Sequence, residues 1–150
     1  MYQILRATRR GGAWKRLRAD VLARAGGACH VCGEHQDRFM VCHEVWDYDD
    51  DASVAMLVDF ALNCWGCDAA THPGCAGLTG RRETARAQLE KVNGMTVEEV
   101  QALLDAAVEE WARRSQQAWT VAVSAELCQR YPVLVGLFDG DAGSEEKAQP

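Results

Sequence analysis

Two Cys-x-x-Cys motifs, Cys29/Cys32 and Cys64/Cys67, constrain the fold of this chain more than any other feature of its sequence. Each motif forms a tight turn that presents two sulfurs to one ion, and two such turns complete the tetrahedral coordination that Zn²⁺ prefers. The chain between the motifs must therefore fold back on itself. A lone cysteine is commonly a small buried apolar residue, whereas two matched pairs indicate a structural zinc site. The other cysteines lack this spacing and are interpreted as core or spectator residues: Cys42, Cys75 and Cys128.

Length and composition favour one domain. The chain has 150 residues, of which 48% are hydrophobic, and this is enough to bury one sizeable core. We expect a flexible basic arm at residues 1–12, a single domain at 13–138 and a disordered tail at 139–150. No apolar run is long enough for a transmembrane helix, and no secretory signal follows the amino-terminal arginines. Seven cysteines in such a chain indicate reduced thiols, so we expect a cytoplasmic protein with no membrane partner.

Charge is distributed unevenly along the sequence. The formal net charge is −6, which alone argues against nucleic-acid binding, but residues 1–30 are strongly basic. A basic segment on an acidic body suits phosphate contact with a strong salt dependence. The alternative is a solubilising face on a surface helix, and charge alone does not separate the two. The residues that we expect to contact nucleic-acid phosphates are Arg6, Arg9, Arg10, Lys15, Arg16 and Arg18.

The segment between the two motifs has the pattern of a hairpin. Apolar residues recur at period two from Phe39 and again from Val54, which predicts two strands separated by the polar turn at 48–51. An antiparallel pairing of these strands carries Cys32 and Cys64 toward each other. Sequence spacing and strand geometry therefore agree on one shared metal site.

Helical patterns surround the hairpin. The spacing of apolar residues predicts helices at 13–25 and 81–92, and a helical turn after Cys67 places Asp68 and His72 on one face. A short helix that leaves the second motif of a four-cysteine site is typical of a treble-clef zinc finger. Thr96 and Glu99 form a capping-box pattern at the start of a further helix. We expect the apolar stripe of that helix to pack in the core: Val97, Val100, Leu103, Leu104, Ala107 and Trp111.

Together these motifs resemble the zinc-stabilised HNH endonucleases, in particular an HNH-like group of bacterial and phage proteins with His-Glu-x-Trp-x-Tyr in the first strand. The resemblance covers most of residues 13–120. It rests on the order Trp14-x-x-Leu17-Arg18, Gly26-Gly-x-Cys-x-x-Cys-Gly33, His43-Glu-x-Trp-x-Tyr48, Cys64-x-x-Cys67 and His72-x-Gly74. The fold that it implies is α+β, a ββα-metal core of treble-clef type with flanking amino-terminal and carboxy-terminal helices.

The resemblance also implies a reaction, the metal-dependent hydrolysis of DNA. His43 stands at the place of the family's general base. Glu44 belongs to the same motif and is expected to be a catalytic residue that binds the metal, although a solvent-facing strand residue is the alternative. Asp68 and His72 stand where the helix holds a catalytic Mg²⁺ or Mn²⁺. This sequence departs from the family at three positions, Cys42 before the base, Asp59 at the central asparagine and Asp68 after the second cysteine motif.

Two other functions fit the same residues. One is a catalytically degenerate zinc module that has kept the HNH-like fold and binds nucleic acid or a protein partner. The other is a protein-interaction subunit whose acidic helix contacts a partner. The oligomeric state has no signal in the sequence.

Overall fold

The computed structural model describes residues 12–35 and 39–135. The expected arm, apart from Gly12, and the expected tail at 139–150 lie outside these residues. Arg6, Arg9 and Arg10 are therefore also outside the described chain. Among the described residues, no helix is both long enough and apolar enough to span a membrane.

The chain is a mixed α+β structure with a small sheet. Its helices and strands, in chain order, are α1 (Ala13–Ala25), β1 (Val41–Asp49), β2 (Val54–Asn63), α2 (Trp65–Thr71), α3 (Pro73–Leu78), α4 (Arg82–Asn93), α5 (Val97–Arg114), β3 (Thr120–Val123) and α6 (Ala125–Arg130), followed by a 3-10 turn at Pro132–Leu134. The expected α+β class is therefore confirmed. The short helix α3 and the strand β3 were not expected from the sequence.

The sheet has three strands in the order β1-β2-β3. Only residues 50–53 join β1 to β2, and so short a connection is compatible with an antiparallel pair alone. β3 pairs with β2 in parallel, with Val54 opposite Thr120 and Leu57 opposite Val123. β1 begins two residues later than the sequence suggests, because Phe39 has a positive φ of 63° and lies outside the strand.

The residues fall into two units. In the described chain, the first unit contains residues 12–17, 46–59 and 119–135, and the second contains 18–35, 39–45 and 60–118. The single domain expected over 13–138 stays a prediction.

The first unit has its own buried residues and hydrogen bonds. Leu57, Leu127 and Leu134 are fully buried. Ser124 donates its backbone N–H to the Leu57 carbonyl at 2.9 Å, and its side chain caps the start of α6 by accepting from the backbone N–H of Leu127. The strand pairing of β2 with β3 thus continues directly into α6.

The second unit contains the chain's cysteine motifs. Phe60 and Leu62 of β2 are buried in it, together with Val100 of α5. Ala69, Ala76 and Ala85, one from each of α2, α3 and α4, form a small buried cluster. Alanines at these contacts allow three helices to approach closely, which fixes α2 in place.

The apolar stripe of α5 does not pack as expected. Val100 is buried, whereas Val97 is 55% exposed and Trp111 is 70% exposed. The expectation that the whole stripe joins the core is therefore wrong. Apolar periodicity determines which residues share a helix face, but it does not determine whether another element covers that face.

Candidate metal centres

Two turns bring the first pair of cysteines into position. α1 ends at Ala25, Gly26 and Gly27 follow it with positive φ values, and Cys29 comes two residues later. Gly33, with a φ of 72°, donates its N–H to the Cys29 carbonyl at 2.9 Å and so closes the turn that contains Cys32. A side chain at the Gly33 position would strain this backbone.

β2 and α2 supply the second pair. Cys64 is the N-cap of α2, and its sulfur accepts from the backbone N–H of Cys67 at 3.4 Å. The His30 N–H donates to the Leu62 carbonyl at 2.7 Å, which ties the first turn to the end of β2. The two motifs are thus joined through backbone contacts as well as through their sulfurs.

The four sulfurs form one cluster, called the cysteine cluster below. The sulfurs of Cys29, Cys32, Cys64 and Cys67 all lie within 4.8 Å of one another. The Cys32 and Cys64 sulfurs are 3.8 Å apart. The expected pairing of the motifs is therefore confirmed, and this cluster can hold a structural metal such as zinc.

The cysteine cluster ionises unevenly. Burial opposes ionisation of Cys29, but backbone N–H groups of Cys32, Cys64 and Val31 outweigh it and lower its pKa to about 7. Burial raises the pKa of Cys32 and, more strongly, that of Cys67. Sulfurs this close repel one another as thiolates, so a bound cation is what would let all four ionise. Metal binding would therefore release protons.

Gln88 of α4 supports the cysteine cluster from outside. Its Nε2 donates to the Cys67 sulfur at 3.1 Å. A β-carbon at Gly66 would lie 2.7 Å from the Gln88 side-chain oxygen, so the absence of a side chain at 66 lets Gln88 approach. Such outer contacts orient metal ligands and tune their basicity. Sequence reasoning missed Gln88, since it has no spacing relationship to either motif.

A second group of ligand atoms lies beside α2 and is called the histidine cluster below. It consists of His43, Asp68 and His72, whose ligand atoms lie within 4.8 Å of one another. His72 Nε2 is 3.2 Å from His43 Nδ1, and Asp68 Oδ1 is 3.9 Å from the same nitrogen. β1 supplies His43, while α2 and its C-cap supply the other two. Three residues that the sequence singled out are thus brought together.

The environment of His43 favours its neutral form. Burial lowers the pKa of this imidazole, and the nearby His72 lowers it further, while Asp68 acts in the opposite direction. A neutral imidazole can accept a proton or bind a metal.

Arg81 holds the outer side of Asp68. Its Nη1 lies 3.4 Å from Asp68 Oδ2, and both side chains are largely buried. One carboxylate oxygen therefore faces the arginine, and the other faces His43. The arginine thus compensates the charge of a carboxylate that is only 8% exposed.

Other expected site residues lie elsewhere. Glu44 is buried on β1, but adjacent strand residues point to opposite faces, and it is not part of the histidine cluster. Asp59 accepts from Arg130 at 2.9 Å in the first unit. Cys42 also lies outside both clusters. Three basic residues of α1 that are expected to contact phosphates are exposed: Lys15, Arg16 and Arg18. Arg18 also donates to the Met40 carbonyl at 3.1 Å.

No protein-family model matches this chain, and no curated protein or solved structure matches it either. The functional argument therefore rests on the chemistry of the two clusters.

Proposed function

We propose that this chain is a metal-dependent endonuclease of HNH type that hydrolyses DNA phosphodiester bonds and contains a structural zinc in its cysteine cluster. The observation that carries the proposal is the histidine cluster, in which a strand histidine meets a carboxylate and a second histidine from a helix. The cysteine cluster caps the start of that same helix through Cys64. A strand histidine that faces ligand residues of the following helix is the arrangement that the resemblance implies for a ββα-metal core.

The histidine cluster fits a divalent cation. It offers an imidazole nitrogen of His72 and the Asp68 oxygen that does not face Arg81, and it leaves His43 beside them as a base. Imidazole ligands suit Mn²⁺ better than Mg²⁺, which prefers oxygen alone. A cation bound there would neutralise the charge that develops on the phosphate during hydrolysis.

The proposed reaction assigns a separate role to each side chain of the histidine cluster. Asp68 Oδ1 and His72 Nε2 are the atoms that would hold the cation, because both face the centre of the cluster. His43 Nδ1 faces the same space and accepts the proton of the attacking water. The exposed basic residues Lys15, Arg16 and Arg18, with the arm that precedes them, would contact DNA phosphates. The thiols of the cysteine cluster would stay reduced in a cytoplasmic setting.

The rival proposal is a zinc module without catalysis that binds nucleic acid or a protein partner. The resemblance aligns Asp59 with the family's central asparagine, but Asp59 forms an ion pair with Arg130. This ion pair favours the zinc module. The module requires only the cysteine cluster. The two proposals thus differ in whether the histidine cluster binds a metal.

Plasmid nicking tests the proposed function. Zinc-loaded protein is incubated with supercoiled DNA and added Mn²⁺ or Mg²⁺, and His43→Ala is compared with wild type. His35→Ala is the matched control, since His35 is exposed and lies outside the histidine cluster. We expect His43→Ala to lower the rate by at least about 100-fold and His35→Ala to leave it unchanged. Equal nicking by wild type and His43→Ala would contradict the proposed base.

A further inference from the structure

Trp65 is an exposed aromatic residue at the edge of the histidine cluster. It is the first residue of α2, three positions before Asp68, and it remains 46% exposed. The Arg81 guanidinium carbon lies 4.2 Å from the centre of its ring. The ring therefore presents apolar surface to solvent beside the charged Arg81 side chain.

Arg81 is fixed in place by three neighbours. Besides stacking on Trp65, it donates from Nε to Thr79 Oγ1 at 3.1 Å and from Nη1 to Asp68 Oδ2 at 3.4 Å. Its side chain is only 16% exposed. Within the described ranges, no side chain or carbonyl accepts a hydrogen bond from Nη2. This terminal nitrogen therefore offers donors to a ligand while the rest of the guanidinium is held rigid.

Arg81 and Trp65 have the chemistry to bind the phosphate and the base of a nucleotide, respectively. A guanidinium that is already oriented recognises phosphate oxygens through its remaining N–H groups. Arg81 lies over the Trp65 ring, and the part of the ring that stays exposed can stack on a nucleobase, whichever base is present. The Asp68 contact places both groups at the edge of the histidine cluster.

We propose that Trp65 and Arg81 form a nucleotide subsite, in which a base stacks on Trp65 and an adjacent phosphate accepts hydrogen bonds from Arg81. In a duplex both faces of a base are covered by its neighbours, so only an unpaired base reaches the ring. The substrate class is therefore DNA with single-stranded segments. This inference rests on the proposed function, since it names the DNA form that the histidine cluster would meet.

Binding measured without catalysis tests the subsite. Fluorescence anisotropy follows a labelled single-stranded oligonucleotide and the corresponding duplex, with zinc-loaded protein and no added Mn²⁺ or Mg²⁺. We expect Trp65→Ala to weaken single-strand binding about tenfold and Trp65→Phe to retain most of it. Trp111→Ala is the matched control, because Trp111 is 70% exposed but lies on α5. Zinc content and circular dichroism establish that each variant is folded.

Arg81→Lys tests the second half of the subsite. Lysine keeps the positive charge beside Asp68 but lacks the planar fork, so single-strand affinity should fall while folding is retained. Unchanged single-strand affinity in both Trp65→Ala and Arg81→Lys would overturn the subsite, as would an equal loss for single strand and duplex. Nicking that persists in Trp65→Ala with unchanged binding would overturn the subsite alone. Selective single-strand binding without any nicking would support the subsite and contradict the nuclease.

Discussion

His72 Nε2 lies 3.2 Å from Nδ1 of His43, although the two histidines are 29 residues apart in sequence. At this distance an N–H of one imidazole can donate to the ring nitrogen of the other, so the pair can form a hydrogen bond or lie side by side next to a bound cation. Asp68 beside them faces Arg81 with one carboxylate oxygen and His43 with the other, so the second oxygen is the one placed to bind a cation. The contact between β1 and the end of α2 therefore forms a candidate metal site.

Removing one ligand of the cysteine cluster should remove its zinc. We expect Cys64→Ser to lose the metal and to unfold, because serine can still cap α2 but supplies no thiolate to the zinc. Structural zinc contributes on the order of 10 kcal/mol to folding in small zinc domains. Zinc stoichiometry and thermal unfolding measure this. Cys75→Ser is the control, since Cys75 is exposed and outside the cluster, and a similar loss of zinc in that variant would show that the cluster is wrongly assigned.

The hydrogen bond from Gln88 to Cys67 should strengthen zinc binding. We expect Gln88→Leu to lower zinc affinity about tenfold, because the Cys67 sulfur loses a donor that stabilises its charge. Gly66→Ala should also lower the zinc affinity, because the added β-carbon would displace the Gln88 side chain. Competition with a zinc chelator measures the affinity. Gln116→Leu, at an exposed position after α5, serves as the control, and equal affinities in all four proteins would contradict the role of Gln88.

The start of α5 should depend on its capping box. Thr96 accepts from the Glu99 backbone N–H, and the Glu99 carboxylate accepts from the Thr96 backbone N–H at 2.8 Å. We expect Thr96→Ala to lower the free energy of unfolding by about 1 kcal/mol. Denaturant unfolding of the zinc-loaded protein measures this change. Thr84→Ala, inside α4 and exposed, should have a smaller effect, and the reverse order would argue against the cap.

Some features could be predicted from the sequence because local spacing determines them. The two Cys-x-x-Cys motifs, the i and i+4 relation of Asp68 with His72 and the Thr96 capping box all depend on a few neighbouring residues. The meeting of His43 with Asp68 was also expected, because a hairpin that joins the cysteine motifs leaves little freedom to the strand between them.

Other features depend on contacts that no local pattern encodes. Gln88 reaches Cys67 only because α4 packs on α2, and β3 is a four-residue strand that is too short to show a period. The exposure of Trp111 depends on whether another element covers α5. Asp59 was matched to the family's central asparagine by position, but its partner is Arg130. Tertiary packing decides each of these outcomes.

Binding of Mn²⁺ to zinc-loaded protein, followed by electron paramagnetic resonance, tests the central claim most directly. The histidine cluster should bind one Mn²⁺ per chain in addition to the zinc, and Asp68→Asn should abolish this binding because it removes the buried charge. Asp59→Asn should bind as wild type, since Asp59 lies outside the cluster. The absence of Mn²⁺ binding in wild type, or equal binding by Asp68→Asn, would contradict a catalytic metal site and leave the zinc module as the better account.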